Sequence, residues 1–515
     1  MKTICIGHWK ASYNIGMRKN EYDPKIKKIK GGLSEAECRM IDTYFASLEK
    51  RIDLNILKRN LLFDHFCNAF DYYLDHGYAI EEIVSLMDPE HLGFFYKDNK
   101  RSYFSLDNAA IVYPLGMKYG QMPLFRLSVD LKEDIVPSIL QVAMDFTIKR
   151  FPTFSAVIKT GMFWHYMETT NNIPLVEEEK DIPCKPISII LRSFRSFRVF
   201  YYKKRISIEY FHAITDGTGG MIFLNTLLSE YLRLLKHPQT YADNVLNVDE
   251  EVKQEELVNE FRNTTAAKDF NTFLDKSSLQ LDGKLEKIEM KRIIHYDFDL
   301  KEIKEKARKY DGSITAYFLS VLFMASKNCI SAKKGLVNIQ VPVNMRKFNG
   351  SKTLRNYSMY FSASKDVSEI GDLQELVPDM KQQIREKGRE EIMNQMMATT
   401  ENLIRALYHV PIFLKIPVAQ IAYGYLGNSI IASCLSNLGE IKVPAGMQPF
   451  IDHYDFLLVP ASPNRATSTL VSFGDRVRLT ITKATADTKY EEEVYRILKE
   501  DGLQIRLEGS EEYES

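Results

Sequence analysis

The stretch from Arg205 to Leu235 leaves few choices of local structure, because its apolar period changes once, at a turn. Arg205-Ile206-Ser207-Ile208-Glu209-Tyr210-Phe211 alternates with period two, so Ile206, Ile208, Tyr210 and then His212 point to one side of a strand. Downstream, Met221, Leu224, Leu227, Leu228, Tyr231, Leu232 and Leu235 recur at helical spacing. Between them lie His212-Ala213-Ile214-Thr215-Asp216-Gly217, then Gly219 and Gly220, which allow a tight turn and close backbone approach. An imidazole therefore leaves a strand on its apolar side, and a carboxylate follows at the helix start. That spacing suits one base and one structural anchor better than two ligands for one ion.

Each of these residues also has an ordinary reading. A lone histidine after an apolar strand is usually a satisfied core residue, and Asp216 alone reads as a helix N-cap. A bare HxxxDG arises by chance in on the order of a few per hundred chains of this length, so other segments must carry the weight. Three do. His212, Asp216 and Gly217 match the signature shared by chloramphenicol acetyltransferase, plant BAHD acyltransferases, alcohol acetyltransferases and condensation domains of peptide synthetases. Tyr103-Phe104-Ser105-Leu106-Asp107-Asn108-Ala109-Ala110 resembles that family's opening, Val341-Pro342-Val343-Asn344-Met345-Arg346 its mid-chain arginine motif, and Ser436-Asn437-Leu438-Gly439 its late strand turn.

The resemblance covers roughly residues 103 to 507 and implies an α/β (α+β) fold. Two chloramphenicol acetyltransferase-like halves, 103–287 and 288–515, would form a V with a tunnel at their interface and His212 at its middle. Residues 1–102 would form a small helical extension. Acyl transfer from a thioester needs a base near the acceptor, donors for the oxyanion and a dry site. The resemblance makes His212 that base and gives Asp216 a structural duty, paired with Arg346 across the two halves. Gly217 belongs to the same turn. Ser436 and Asn437 become candidate substrate-lining groups, although as residue types they are more often simple turn formers. Arg346 alone would be a strand-end charge.

The implied function is transfer of an acyl group, acetyl first among them, from a CoA thioester to an alcohol or amine by direct attack in a ternary complex. Acyl-CoA is then a co-substrate, and no metal or tightly held cofactor is implied. Two alternatives stand beside it: a condensation-type enzyme fed by an acyl carrier protein, and a noncatalytic binding scaffold of the same fold. Phe211 stands where condensation domains carry a first histidine, and the plant branch's DFGWG is only echoed by Val471-Ser472-Phe473-Gly474-Asp475. Bacterial-style alcohol acetyltransferases are the nearer resemblance.

At 515 residues the chain exceeds one ordinary core, and a prior of about 150 residues per domain suggests roughly three units. Its 45% hydrophobic and 26% charged content is that of a globular protein. Lys plus Arg and Asp plus Glu are 68 each, which removes the basic field that nucleic-acid binding would want. The six cysteines, Cys5, Cys38, Cys67, Cys184, Cys329 and Cys434, include no CxxC pair, so a reducing cytoplasm is the simpler expectation. His165, His295, His409 and His453 have no metal-like spacing around them.

Gly7 and His8 interrupt the apolar start too early for a signal peptide. Val410 to Leu438 is the most apolar stretch, but Pro411, Lys415, Pro417, Gln420 and Asn428 cut it below the roughly 20 clean residues of a spanning helix. A buried helix or a lipid-facing surface with peripheral membrane contact are its two readings.

In the extension, Ser34 and Glu37 make a capping box, Leu57, Leu61, Leu62, Phe66, Phe70 and Tyr73 a helical stripe, and Gly77 a stop. The basic run Lys25-Ile26-Lys27-Lys28-Ile29-Lys30 is a solvated edge or a dock for an acidic carrier protein. Further on, strands are predicted near 110–115, 125–131, 152–159, 291–298 and 336–343, with a hairpin over 198–211 around Lys203-Lys204. Helices are predicted over 135–149, 300–310 and 314–329.

Overall fold

A computed structural model describes residues 23–97, 101–117, 122–187, 193–237, 241–263, 276–285, 292–422, 430–460 and 464–509. The chain divides into two compact units, Met1–Asp98 and Asn99–Ser515.

The first unit is helical, with its main helices at Glu35–Lys50 and Ile56–Asp75. Ser34 and Glu37 form the reciprocal capping box that opens the former, which satisfies backbone N–H groups that have no partner within the helix. The buried face of the second helix is Leu62, Phe63, Phe66, Phe70 and Tyr73, and its phenylalanines pack on Tyr44 and Phe45. Leu57 and Leu61 fall outside that stripe, at 74% and 36% exposure. Each lies about 100° or more around the helix from Leu62, so the apolar type misled where the angle decided. Three lysines of the basic run are paired within this unit: Lys25 with Asp64, Lys28 with Asp71 and Lys30 with Asp42. Little unbalanced charge is left there to attract an acidic partner.

The second unit contains three sheets. A five-stranded sheet runs in the order β13 (Ile451–Leu458), β2 (Leu124–Leu131), β8 (Arg205–Phe211), β7 (Phe197–Tyr202) and β5 (Val176–Glu178). A seven-stranded sheet runs β11 (Ser358–Asp366), β10 (Leu336–Asn344), β12 (Ser433–Glu440), β14 (Ala466–Phe473), β15 (Arg476–Lys483), β9 (Arg292–Asp299) and β16 (Arg506–Gly509). The smallest is β1 (Tyr103–Ser105), β4 (His165–Thr169), β3 (Ala156–Thr160) and β6 (Ser193–Arg195).

β8 lies inside its sheet, between β2 and β7, and both of its faces are buried from Ile206 to Phe211. β7 and β8 form the hairpin expected around Lys203, whose φ of 48° closes the turn. The helix Gly217–Leu234 follows the motif and packs on Pro137–Thr147. β13 comes from beyond residue 287, yet it pairs with β2 along the first sheet, so the late chain is woven into both large sheets.

One predicted strand is absent. Residues 110–115 form a turn and the short helix Val112–Gly116, because the Asp107 carbonyl accepts both Ala110 N–H at 2.9 Å and Ile111 N–H at 2.9 Å. Pro114 cannot donate to a ladder, whereas in the first turn of a helix its missing N–H costs nothing. The apolar stretch from residue 410 becomes the helix Ile412–Ala422 and the strand β12. Among the described residues, no helix is long and apolar enough to cross a membrane.

Candidate active site

His212 stands one residue past the end of β8, its backbone N–H bonded to the Pro123 carbonyl at 3.0 Å. The ring is partly exposed, stacked on Tyr113 at 4.9 Å and meeting the edge of Phe125 at 4.9 Å. It is neither sealed in the core nor open to bulk water. Burial holds the imidazole pKa below its ordinary value, against the opposing pull of its own backbone, Asp216 and Asn356. A neutral ring at pH 7 follows, and a neutral ring can accept a proton.

Asp216 is the N-cap of the helix Gly217–Leu234, with Oδ1 accepting from Gly219 N–H at 3.1 Å. Its Oδ2 takes two donors from the second large sheet's side: Arg346 Nη1 at 2.7 Å and Tyr357 N–H at 2.8 Å. Capping and ion pairing thus use different oxygens of one carboxylate. Both partners of the pair are nearly buried, at 9% and 5% side-chain exposure, so the charges are held mostly out of water.

The reason Arg346 and Tyr357 arrive together lies in the pairing of β10 with β11. These strands form an antiparallel ladder ending at Asn344 opposite Ser358, and the chain between them loops out over the motif. Arg346 ties that loop to itself, donating to the carbonyls of Thr353 at 2.9 Å and Arg355 at 2.6 Å. Thr215 Oγ1 donates to the Leu354 carbonyl at 2.7 Å. Asn356 Nδ2 donates to the His212 carbonyl at 2.9 Å, and its Oδ1 lies 3.2 Å from His212 Nδ1.

Two glycines make this approach possible. A Cβ on Gly219 would sit 2.2 Å from the Leu354 carbonyl oxygen, and one on Gly217 would sit 2.6 Å from Leu438 Cδ2. At Gly219 the clash is with backbone, so any larger residue would push the loop off the motif, whereas at Gly217 it meets only the end of the flexible Leu438 side chain. Leu438 belongs to the predicted late turn, so Ser436-Asn437-Leu438-Gly439 does reach the motif, though through its leucine. Ser436 is buried in β12 opposite Thr469. Both ends of the Asn437 amide are engaged, Oδ1 by Gly439 N–H at 2.7 Å and Nδ2 with Thr315 Oγ1 at 3.0 Å, which is the bonding of a turn former.

The sequence reading missed Asn356 and its support. Asp107, fully buried, accepts from Asn356 N–H at 3.2 Å and pairs with Arg355 at 2.9 Å. Burial pushes Asp107 up to about 6, with Arg355 opposing the rise. Asp107 stands in the quoted opening segment, but nothing near Asn356 in the sequence marks it. The reading also set His453 aside from metal chemistry, whereas ligand atoms of Asp130, His453 and Asp455 lie within 4.8 Å of one another. Arg205 lies 3.2 Å from Asp130 and Arg478 lies 2.5 Å from Asp455, so cations already balance these carboxylates. An ion would have to displace a guanidinium.

No family model matches the sequence, and no curated protein matches it either. Solved structures do. A trichothecene 15-O-acetyltransferase from Fusarium sporotrichioides superposes with a TM-score of 0.53 at 10% identity, over 77% of this chain and 95% of its own. TRI101 of F. graminearum, complexed with ethyl coenzyme A, gives 0.53 at 11% identity, over 79% and 100%. The first condensation domain of the calcium-dependent antibiotic synthetase, complexed with a substrate analogue, gives 0.52 at 12% identity, over 79% and 99%. The chain has the chloramphenicol acetyltransferase-like fold, shared by acetyltransferases and condensation domains.

Proposed function

We propose that this protein is an acyltransferase that moves an acyl group, acetyl in the first instance, from a CoA thioester to an alcohol or amine. The observation that carries the reading is the state of His212: Nδ1 lies beside Asn356, while Nε2 has no hydrogen-bond partner among the described residues. Nε2 takes the acceptor's proton as its oxygen or nitrogen attacks the thioester carbonyl. The tetrahedral intermediate then collapses, the carbon–sulfur bond breaks, and the departing thiolate recovers the proton from Nε2. No covalent acyl-enzyme is needed. Asp216 and Arg346 hold the turn and stay off the substrate, and Gly217 lets β12 approach. Acyl-CoA and a small acceptor are the partners, with neither nucleic acid nor a bound cofactor.

The test is release of free thiol from acetyl-CoA with a panel of alcohols and amines. Wild-type protein should release it in an acceptor-dependent way, and His212→Ala should be slower by about 10²- to 10⁴-fold, the usual worth of a positioned base. Equal release by the two proteins would remove His212 from the mechanism. Silence with CoA donors but turnover with an acylated carrier protein would move the donor to that class. Silence with both would leave a binding scaffold.

A further inference from the structure

We infer that the turn between the helices Glu390–Ala406 and Ile412–Ala422, together with the tip of the β3–β4 hairpin, is a membrane-docking surface that seats the protein on a phospholipid bilayer, from which it takes an amphiphilic alcohol as acceptor. The docking stands by itself, and the acceptor class rests on the reading of His212 as the base. The helix Ile412–Ala422 inverts the pattern of an ordinary surface helix. Lys415 is its only charged residue, and it points inward: it is 5% exposed, and its Nζ donates to the Phe163 carbonyl at 2.8 Å and lies over the Trp164 ring at 3.1 Å. Ile412 is buried on the same side, whereas Phe413, 68% exposed, faces outward with Leu414 and Pro417. A helix between core and water turns its charge to the water; one that is apolar on both faces fits an apolar medium on each.

Neighbouring side chains extend the surface. Met162 at the hairpin tip is 71% exposed, and Leu403 and Tyr408 are exposed just before the helix. The Met162 carbonyl accepts the Ile412 N–H at 2.9 Å, which holds the tip against the helix start. Apolar side chains gathered in this way mark an interaction site, unlike single ones scattered over a surface. Charge selects the occupant. From 402 to 422 the chain has no Asp or Glu, and the side chains that can be cationic are Arg405, His409 and Lys415. Glu401, at the border, is taken up by Asn108 and Arg405. Headgroup phosphates therefore meet exposed Arg405 and His409 and no free carboxylate. An acidic carrier protein would want several unpaired cations, and Arg405 already pairs with Glu401 while Lys415 is buried. The surface is also two contacts from the base: the helix Ile412–Ala422 packs on Val112–Gly116, whose Tyr113 stacks on His212. An alcohol whose tail stays in the bilayer is thus presented close to the imidazole.

The test is cosedimentation with vesicles of mixed phosphatidylcholine and phosphatidylglycerol. Wild-type protein should bind, and a Phe413→Ser/Leu414→Ser double variant, first checked for a cooperative melt, should bind about tenfold more weakly or worse. Met162→Ser should weaken binding about threefold. Leu57→Ser, at an exposed leucine of the helical unit, should change nothing, and His212→Ala should bind like wild type, so the docking is read without any turnover. Wild-type protein left in the supernatant, or a double variant that binds as well as wild type, would overturn the docking. So would a wild type that ignores vesicles but self-associates, or captures acyl carrier protein, through Phe413 and Leu414. With vesicles present, thiol release from acetyl-CoA with a long-chain alcohol should fall about tenfold in the double variant, while a short water-soluble alcohol should react at the wild-type rate. Equal rates with the long-chain alcohol would overturn the acceptor class. Wild-type protein that binds vesicles but releases no thiol with either alcohol would sink the acyltransferase reading, and the acceptor class with it, and leave the docking standing.

Discussion

Two clusters of buried charge join the five-stranded sheet to the seven-stranded one, and they differ in how far their imidazoles are buried. Around Arg478, the guanidinium bonds Asp297 at 2.7 Å, Asp455 at 2.5 Å and Glu508 at 2.8 Å. Every carboxylate there meets a cation. His295 beside it bonds Thr480 Oγ1 at 2.8 Å, and burial lowers it to about 4, so it stays neutral at pH 7. Burial also pulls His453 down, but Asp455 outweighs that and raises it, which suits a charged partner within the cluster. The motif cluster is as well paired at Asp216 and Arg346, and each cluster holds an imidazole Nε2 without a hydrogen bond, on buried His453 in the first and on partly exposed His212 in the second. Burial makes the first a rivet, whereas the second leaves its imidazole within reach of the surface.

The contrast can be broken by removing one cation from each cluster. Arg478→Ala should cost the most stability, about 3 to 5 kcal/mol, because several buried carboxylates lose their partner at once. Its activity per folded molecule should stay near wild type; denaturant melts beside thiol-release rates at low temperature measure both. Arg346→Ala, or Asp216→Ala, should cost about 3 kcal/mol and also lower the rate at least tenfold, since the loop that carries Asn356 is tied to the motif through this pair. Normal stability and turnover in either variant would remove the structural role of the pair. Smallest of all, Asn437→Ala should cost about 1 kcal/mol for its turn hydrogen bonds and change the rate less than about threefold. A large KM effect there would restore it as a substrate contact.

How much of this was legible depends on distance along the chain. The strand, turn and helix around His212 follow from local periodicity, and β7, β8 and the helix Gly217–Leu234 lie where that periodicity puts them. Arg346 is 130 residues from Asp216, and only the resemblance of its segment suggested the two together. Asn356 had no such help: an asparagine between Arg355 and Tyr357 looks like any loop residue until the loop is folded over the motif. At residues 110–115 an apolar run fits a strand or a buried helix equally, and the Asp107 carbonyl decides for the turn and helix. Asp130, His453 and Asp455 show the same limit, since β13 reaches β2 only by crossing between sheets.

By itself, the order of residues determined which segments would be strand or helix near the motif, and that a histidine would stand at their junction. Those outcomes rest on side chains a few positions apart, whose periodicity is written in the chain. Which nitrogen of that histidine is free, which arginine meets Asp216, and why Gly219 admits no Cβ were decided only when β10, β11 and the loop between them packed against the turn. Hydrogen-bond direction and close contact are properties of groups in space, and these groups lie more than a hundred residues apart.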